Sequence, residues 1–320
     1  MLIHISPYGQ LGNRLQLFAQ LIAFAIENNQ SIANLGFKEY ARFFKTTRND
    51  IFCRYPQKES FIKTYCARSF LSWIFKYITK NRVVNILRST NITAIYSYPF
   101  GDIGNEFRLD SPDFLEIIGK HNIIFSKGYY FVDYLNLLKH ADKIREYFIP
   151  IDQHCFNIDR TISDANLLCD LLIGVHIRRG DYEQYLGGRY YYTNDIYIRT
   201  MRRALELFPD KKVGFLVCSD EVLEKESFDN FIVTYGTGHL VEDMYSLAKC
   251  DYIIGPSSTF SRWASFYGKV PTYLIRNPEY HFGIEDFLLY DDIVYHHLLN
   301  APQFPKYEQD SSLIQELKQR

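Results

Sequence analysis

Short apolar segments alternate with helical patterns along most of this 320-residue chain, and this alternation restricts the fold more than any other feature. It is most regular in the second half. Strands are predicted there over residues 171–177, 213–217, 231–234, 252–254 and 272–275, and helices over residues 195–208, 242–249 and 259–267. Strands that alternate with helices form βαβ units, which build parallel sheets. We therefore predict the α/β class with a Rossmann-like domain in this half.

The first half shows the same alternation less regularly. Strands are predicted over residues 2–6, 83–87, 92–96 and 122–125, and helices over residues 15–26 and 132–147. The polar stretch of residues 150–163 is predicted to connect two domains. We expect an N-terminal α/β domain over residues 1–160, a Rossmann-like domain over residues 161–280 and an extension over residues 281–320, since the chain is long enough for two domains.

Composition excludes some classes of protein. A net charge of −1 argues against nucleic acid as the main partner. Six scattered cysteines indicate a reducing compartment, and we find neither a signal peptide nor a run long enough to cross a membrane. The nearest candidate, residues 69–78, is predicted to be a buried or partly membrane-facing helix. A cytoplasmic protein of bacterial or viral type is expected, with peripheral membrane contact as an alternative.

The segment after the apolar run of residues 171–177 carries the strongest chemical signal, with His176, Arg178, Arg179 and Asp181 close together. Alternation along a strand puts the first two side chains on one face and Arg179 on the other. Ligands of open α/β sheets bind beyond the carboxyl ends of strands. Two guanidinium groups there, one of them held by Asp181, suit a diphosphate. A purely structural ion pair is the alternative.

Three further segments lie at predicted strand ends or helix starts. Hydroxyl and carboxylate groups occur at Ser219, Asp220 and Glu221 and at Ser258, Thr259, Phe260 and Ser261, and a glycine loop contains Gly12 and Asn13. These groups can bind a nucleoside or an anion, or they can simply cap helices. The chain has no Asp-x-Asp triplet, so no metal site and no cofactor are predicted.

The chain resembles glycosyltransferase family 11, the α-1,2-fucosyltransferases, and more loosely the wider group of fucosyltransferases. The segments that carry the resemblance are residues 9–15, 128–130 with 144–145, 176–182, 219–221, and 242–250 with 257–261. This resemblance implies a GT-B architecture of two Rossmann-like domains facing a cleft. It also implies that the second domain holds GDP-fucose and that the first lies on the acceptor side.

Residue roles follow from the same resemblance. Arg178 would grip the diphosphate, with Arg179 and Asp181 shaping the site. Contacts to guanosine are implied for His176, Ser219, Asp220 and Glu221, contacts to phosphate or fucose for Ser258, Thr259, Phe260 and Ser261, and an approach from the first domain for Gly12 and Asn13.

The expected activity is inverting, metal-independent transfer of L-fucose from GDP-β-L-fucose to a glycan hydroxyl, most simply O2 of galactose. Asp181 and Glu183 are the candidate general bases, with Asp195 as a third. Departures from the family pattern at Gln10, Arg14, Pro256 and Arg262 leave the acceptor and linkage open. The alternatives are another fucosyl linkage or sugar-nucleotide donor, and a non-catalytic glycan- or nucleotide-binding protein.

Overall fold

The computed structural model describes residues 1–57, 91–97 and 106–294, and the chain divides into two compact units, Met1–Asn157 and Ile158–Arg320. Three segments discussed above lie outside the described residues. These are the predicted strand over residues 83–87, the apolar segment of residues 69–78 and residues 295–320 of the predicted extension.

The first unit is built around a mostly parallel sheet. Its strands are β1 (Leu2–His4), β2 (Ile32–Asn34), β3 (Arg54–Tyr55), β4 (Ile92–Ser97), β5 (Phe107–Arg108), β6 (Ile123–Gly128) and β7 (Phe131–Val132). Its helices are α1 (Leu11–Glu27), α2 (Pro112–Lys120), α3 (Tyr134–Lys139) and α4 (Ala141–Tyr147). Five of the described strands pair in the order β3-β2-β1-β6-β4, with β3 antiparallel. Strands β5 and β7 form a separate pair.

Helix α1 is buried along most of its length because its sequence is apolar on nearly every face. Rings of Phe18, Phe37 and Phe148 lie 5.2–5.8 Å apart beside it and form an aromatic core. Two buried polar side chains of this unit have hydrogen-bond partners. His4 Nδ1 lies 3.1 Å from the Ser126 hydroxyl, and Asp133 caps α3.

Burial changes the proton affinity of two of these groups in opposite directions. It lowers the pKa of His4 to about 4, because the charged imidazolium loses its hydration. It raises the pKa of Asp133 to about 7, because the carboxylate is the charged form there.

The polar stretch of residues 150–163 contains the division between the two units, which falls between Asn157 and Ile158, and helix α5 (Asp152–Asn166) occupies most of it. Ile158 and Ala165, which are seven residues apart, are buried, and the polar residues between them belong to an amphipathic helix. The single helix predicted over residues 132–147 is two helices, α3 and α4, which meet at His140.

The second unit has the more regular sheet. Its strands are β8 (Leu171–Ile177), β9 (Val213–Ser219), β10 (Val233–Tyr235), β11 (Tyr252–Pro256) and β12 (Thr272–Ile275), and its further helices are α6 (Asn194–Leu207), α7 (Leu240–Leu247) and α8 (Thr259–Gly268). The described strands pair in parallel in the order β10-β9-β8-β11-β12. This is the doubly wound arrangement of a Rossmann-like domain.

Strand β8 is mostly apolar because both faces of the sheet are covered there. Ile173, Val175 and Ile177 enter a core on one face of the sheet, whereas Leu172 enters a second core on the other. A Cβ on Gly174 would lie 2.6 Å from a methyl of Leu247, so this glycine permits α7 to pack closely. A strand covered on both faces loses the polar alternation of a half-exposed strand.

The described cysteines are free thiols, at Cys53, Cys155, Cys169, Cys218 and Cys250. Across residues 1–57, 91–97 and 106–294, we find no helix with the length and apolar character needed to cross a bilayer.

Candidate functional site

The candidate site of the second unit lies at the carboxyl edge of its sheet, where β8 and β11 are neighbours. From β8 the chain continues to β9 and β10 on one side, and it then returns to build β11 and β12 on the other. The loops that follow β8 and β11 therefore diverge from adjacent strands. This topological switch point is the place where open α/β sheets bind ligands.

Arg178 follows β8 directly and is held between two carboxylates. Its Nη2 lies 2.5 Å from Asp181 Oδ1, and its Nη1 lies 2.8 Å from Asp220 Oδ2. The arginine side chain is 15% exposed and that of Asp181 is 58% exposed. The guanidinium is therefore fixed in orientation, and Asp181 is the partner that a ligand can displace at lower cost.

Arg179 points to the other face of the sheet, as period-two alternation requires. Its Nε donates to the Tyr192 carbonyl at 3.1 Å, and its Nη2 donates to the Asn194 side chain at the start of α6. Its backbone N–H donates to Asp220 at 2.9 Å. The Arg179 guanidinium thus anchors the following loop, while Arg178 is the arginine at the sheet edge with its fork held by carboxylates.

Two glycines let the backbone approach these groups. A Cβ on Gly180 would lie 2.6 Å from Asp220 Oδ2, the oxygen that binds Arg178. A Cβ on Gly255, in β11, would lie 2.9 Å from the Ser261 hydroxyl and 3.1 Å from the Cβ of His176. A side chain at either position would displace the polar groups beside it.

His176 is buried and neutral. Its Nδ1 lies 2.8 Å from the Ser261 hydroxyl, and its ring stacks on Phe260 with centroids 4.6 Å apart. Burial, followed by the charge of Arg178, lowers the pKa of His176 to about 3. An uncharged imidazole cannot act as a phosphate-binding cation at neutral pH, and the contacts of His176 with Ser261 and Phe260 instead align α8 with β8.

The loop between β11 and α8 supplies hydroxyls at a helix N-terminus. Ser258 is the N-cap residue, and its hydroxyl accepts a hydrogen bond from the Phe260 N–H at 3.2 Å. Ser261 is buried against His176, and Thr259 is half-buried in the first turn. The positive end of the helix dipole and the hydroxyls give this loop an affinity for anions.

The remaining predicted residues of this unit are more exposed. Ser219 accepts a hydrogen bond from the Glu221 N–H at 3.1 Å and so shapes a turn rather than capping a helix. Glu183 ends a 3-10 turn that spans Gly180–Glu183, and its side chain is exposed, as is that of Glu221. Asp195 lies in the first turn of α6.

A buried carboxylate of α7 binds the loop that follows β10. Asp243 of α7 accepts a hydrogen bond from the Gly238 N–H at 3.2 Å and one from the Thr237 hydroxyl at 3.5 Å. Burial raises the pKa of Asp243 to about 6, against its hydrogen bonds, which lower it. This residue fixes the loop of residues 236–239.

Gly12 and Asn13 belong to the first unit and lie in the first turn of α1. The Asn13 side-chain oxygen accepts a hydrogen bond from the Tyr129 hydroxyl at 3.2 Å. Arg14 holds the same loop, since its side chain donates to the carbonyls of Gly9 at 3.0 Å and Gly36 at 2.9 Å. Arg14, which departs from the family pattern, therefore stabilises the loop before α1 through these hydrogen bonds.

No role at the site was predicted from the sequence for Tyr182 and Arg262, although both contact its loops. Tyr182 donates from its hydroxyl to the Ser257 carbonyl at 3.3 Å, and the Arg178 guanidinium lies 5.5 Å from its ring centroid. Arg262 donates to the Ser257 hydroxyl at 3.3 Å. Tyr182 follows Asp181 directly, so its position in the motif was a usable signal, whereas the reach of Arg262 back to its own loop depends on the start of α8.

A chain with two Rossmann-like units, each with a mainly parallel sheet, has the architecture of GT-B glycosyltransferases. The sequence matches the model of glycosyl transferase family 11 over residues 113–286, which is more than half of the chain, and the protein belongs to this family. An alpha-1,2-colitosyltransferase of Escherichia coli is 31% identical over 140 residues, which cover 40% of this chain and 46% of that protein. The match thus spans less than half of the relative's length.

Solved structures agree in fold. A mutant of Arabidopsis thaliana FUT1 in complex with GDP is similar with a TM-score of 0.56 and 15% identity, over 89% of this chain and 72% of that one. The fucosyltransferase NodZ from Bradyrhizobium is similar with a TM-score of 0.52 and 16% identity, over 87% and 96% of the two chains. At these identities the likeness establishes the GT-B fold alone.

Proposed function

We propose that this protein is an inverting, metal-independent fucosyltransferase that moves L-fucose from GDP-β-L-fucose to O2 of a galactose residue in a glycan. The observation that carries the proposal is Arg178, whose guanidinium is oriented by Asp181 and Asp220 at the switch point of the second sheet. Membership of glycosyl transferase family 11 supports the reaction class.

The chemistry gives Arg178 its role. As the bond between the anomeric carbon and the β-phosphate oxygen breaks, the leaving GDP takes the electron pair and gains negative charge, while positive charge develops on the sugar ring. A guanidinium that is already in place stabilises this charge without reorganising in the transition state. In the free protein, the carboxylates of Asp181 and Asp220 hold the guanidinium in this orientation.

The rest of the donor is assigned to groups at the same edge. The hydroxyls and amides at the start of α8, from the N-cap residue Ser258 to Ser261, are proposed to bind phosphate or fucose. The neutral His176 ring and the exposed Glu221 are proposed to contact guanosine, with Asp220 shared between guanosine and Arg178.

The general base must take the proton of the attacking hydroxyl. Asp181 is engaged by Arg178 at 2.5 Å. Glu183 lies two residues further along the same turn and is exposed, which leaves its carboxylate available to an acceptor hydroxyl. We therefore assign the base to Glu183, with Asp181 as the residue that orients Arg178; Asp195 is the third carboxylate to compare.

A colitosyl donor is the second candidate, because the E. coli relative is an alpha-1,2-colitosyltransferase. Colitose differs from fucose only in lacking the hydroxyl at carbon 3, so the diphosphate and guanosine contacts proposed above serve both donors. The two are separated by comparing transfer from GDP-fucose and GDP-colitose to the same acceptor.

The test begins with calorimetric titration of the protein with GDP, UDP and ADP in the presence of a chelator. The proposal expects selective binding of GDP, followed by transfer from GDP-fucose to lactose. A lack of guanine preference contradicts the GDP-sugar donor. GDP binding without transfer to a broad set of acceptors identifies a non-catalytic nucleotide-binding protein instead.

A further inference from the structure

The first unit has a switch point of its own, between β1 and β6. Strand β1 pairs with β2 on one side and with β6 on the other, and both pairings are parallel. The chain passes from β1 to β2 first and builds β4 and β6 later. The segments that follow β1 and β6 therefore leave the same edge in different directions, which is the geometry of a ligand crevice.

Three tyrosines occupy this edge, and we call them the tyrosine platform: Tyr8, Tyr129 and Tyr130. The rings of Tyr8 and Tyr129 are stacked, with centroids 4.8 Å apart and an interplanar angle of 29°. The Tyr130 ring stands edge-on to Tyr129 at 5.1 Å. Tyr8 and Tyr129 are half-buried, and Tyr130 is 39% exposed. The rings thus form a connected aromatic surface that reaches solvent.

Hydrogen bonds to neighbouring elements hold Tyr129 and Tyr130 of the platform in place. The Tyr129 hydroxyl donates to Asn13 of α1 at 3.2 Å, and the Tyr130 carbonyl accepts from the Phe107 N–H at 2.7 Å. Gly128 ends β6 with φ of 124°, a conformation that permits the turn into Tyr129. A ligand that binds here finds the rings already ordered, so little conformational entropy is lost on binding.

We propose that the tyrosine platform binds the apolar face of a galactoside, with the Asn13 amide beside it for hydrogen bonding to a ring hydroxyl. One face of galactose carries C–H groups at carbons 3, 4 and 5, and such a face packs on aromatic rings while the hydroxyls remain available to polar partners. This inference rests on the proposed function and names the residues that recognise its acceptor.

The experiment is ligand-observed saturation-transfer NMR of the full chain with methyl β-D-galactoside and with lactose, followed by titration. Wild type is expected to bind both, with saturation strongest at protons 3, 4 and 5 of the galactose ring. Tyr130→Ala is expected to weaken binding roughly 3- to 10-fold, the effect of one aromatic contact. Tyr130→Phe keeps the ring and should bind like wild type.

Tyr280→Ala is the matched control, because Tyr280 is a 53% exposed tyrosine of the second unit. GDP titration of every variant should give the wild-type affinity. Wild-type galactoside affinity in both Tyr130→Ala and Tyr8→Ala overturns the inference, as does failure of wild type to bind either galactoside. If galactosides bind through the platform but GDP does not bind, the proposed function fails and the inference stands.

Discussion

Replacement of Arg178 by alanine tests the central charge of the proposed donor site. In the free protein this guanidinium already bonds to Asp181 and Asp220, so the net loss on mutation is nearer one charge-assisted hydrogen bond to the diphosphate than two. Such a bond is worth about 1.5–3 kcal/mol, which corresponds to about 10- to 150-fold weaker binding of GDP. Two carboxylates left without their cation add to this loss through repulsion.

Calorimetric titration with GDP measures the effect directly. Arg178→Lys keeps the charge but not the planar fork, so its affinity should fall between those of wild type and the alanine variant. Arg199→Ala is the control, because Arg199 pairs with Glu279 at 2.9 Å on the surface of the same unit and is 51% exposed. Wild-type GDP affinity and transfer in a folded Arg178→Ala variant would refute the assignment of Arg178 as the diphosphate-binding group.

Three further predictions use the same titration, transfer assays and thermal unfolding. Asp181→Asn should bind GDP about 1.5- to 5-fold more tightly, because it removes an exposed competitor for Arg178. Glu183→Gln should keep its GDP affinity and lose transfer. Loss of transfer in Asp181→Asn, with transfer retained in Glu183→Gln, would make Asp181 the general base. Asp243 has its pKa raised from 3.8 to about 6, so its stabilising contribution is complete below pH 3.8 and is lost as the pH rises through 6. Asp243→Asn should therefore gain about 2 kcal/mol of stability over wild type between pH 4 and pH 7, and equal gains at both pH values contradict this reasoning. Gly268→Ala should cost about 1–3 kcal/mol, because the new Cβ meets the Ala248 carbonyl, while Gly119→Ala, with open space around it, should cost nothing.

The α/β class and most strands of the second unit were predictable because burial on both faces of a parallel sheet leaves unbroken apolar runs. Leu171–Ile177 and Thr272–Ile275 have the predicted bounds, and the GT-B architecture is confirmed. Helix α5 was missed because much of its surface is polar, and the periodic placement of Ile158 and Ala165 was overlooked.

Partnerships at the candidate site were harder to predict. Alternation along β8 places Arg178 and Arg179 on different faces, but it does not identify what each one meets. Arg179 bonds to Asn194, which a run of irregular turns brings back to the sheet edge. The contact between Tyr182 and the Ser257 carbonyl likewise joins residues 75 positions apart. Such contacts depend on tertiary packing, so local sequence patterns do not predict them.

Each unit contains a buried histidine and a buried aspartate whose proton affinities change in opposite directions, with pKa values of about 4 for His4, 7 for Asp133, 3 for His176 and 6 for Asp243. At pH 5 the unfolded chain takes up about two protons on the histidines and releases about two from the aspartates, so these four groups exchange almost no net protons with the solvent on unfolding. As the pH falls towards 5, protonation of the histidine lowers the free energy of unfolding of each unit, and protonation of the aspartate raises it by a similar amount. If one of these aspartates were replaced by a residue that does not titrate, the histidine effect in that unit would no longer be offset. The stability of that unit would then fall in mild acid, while that of the other unit would not.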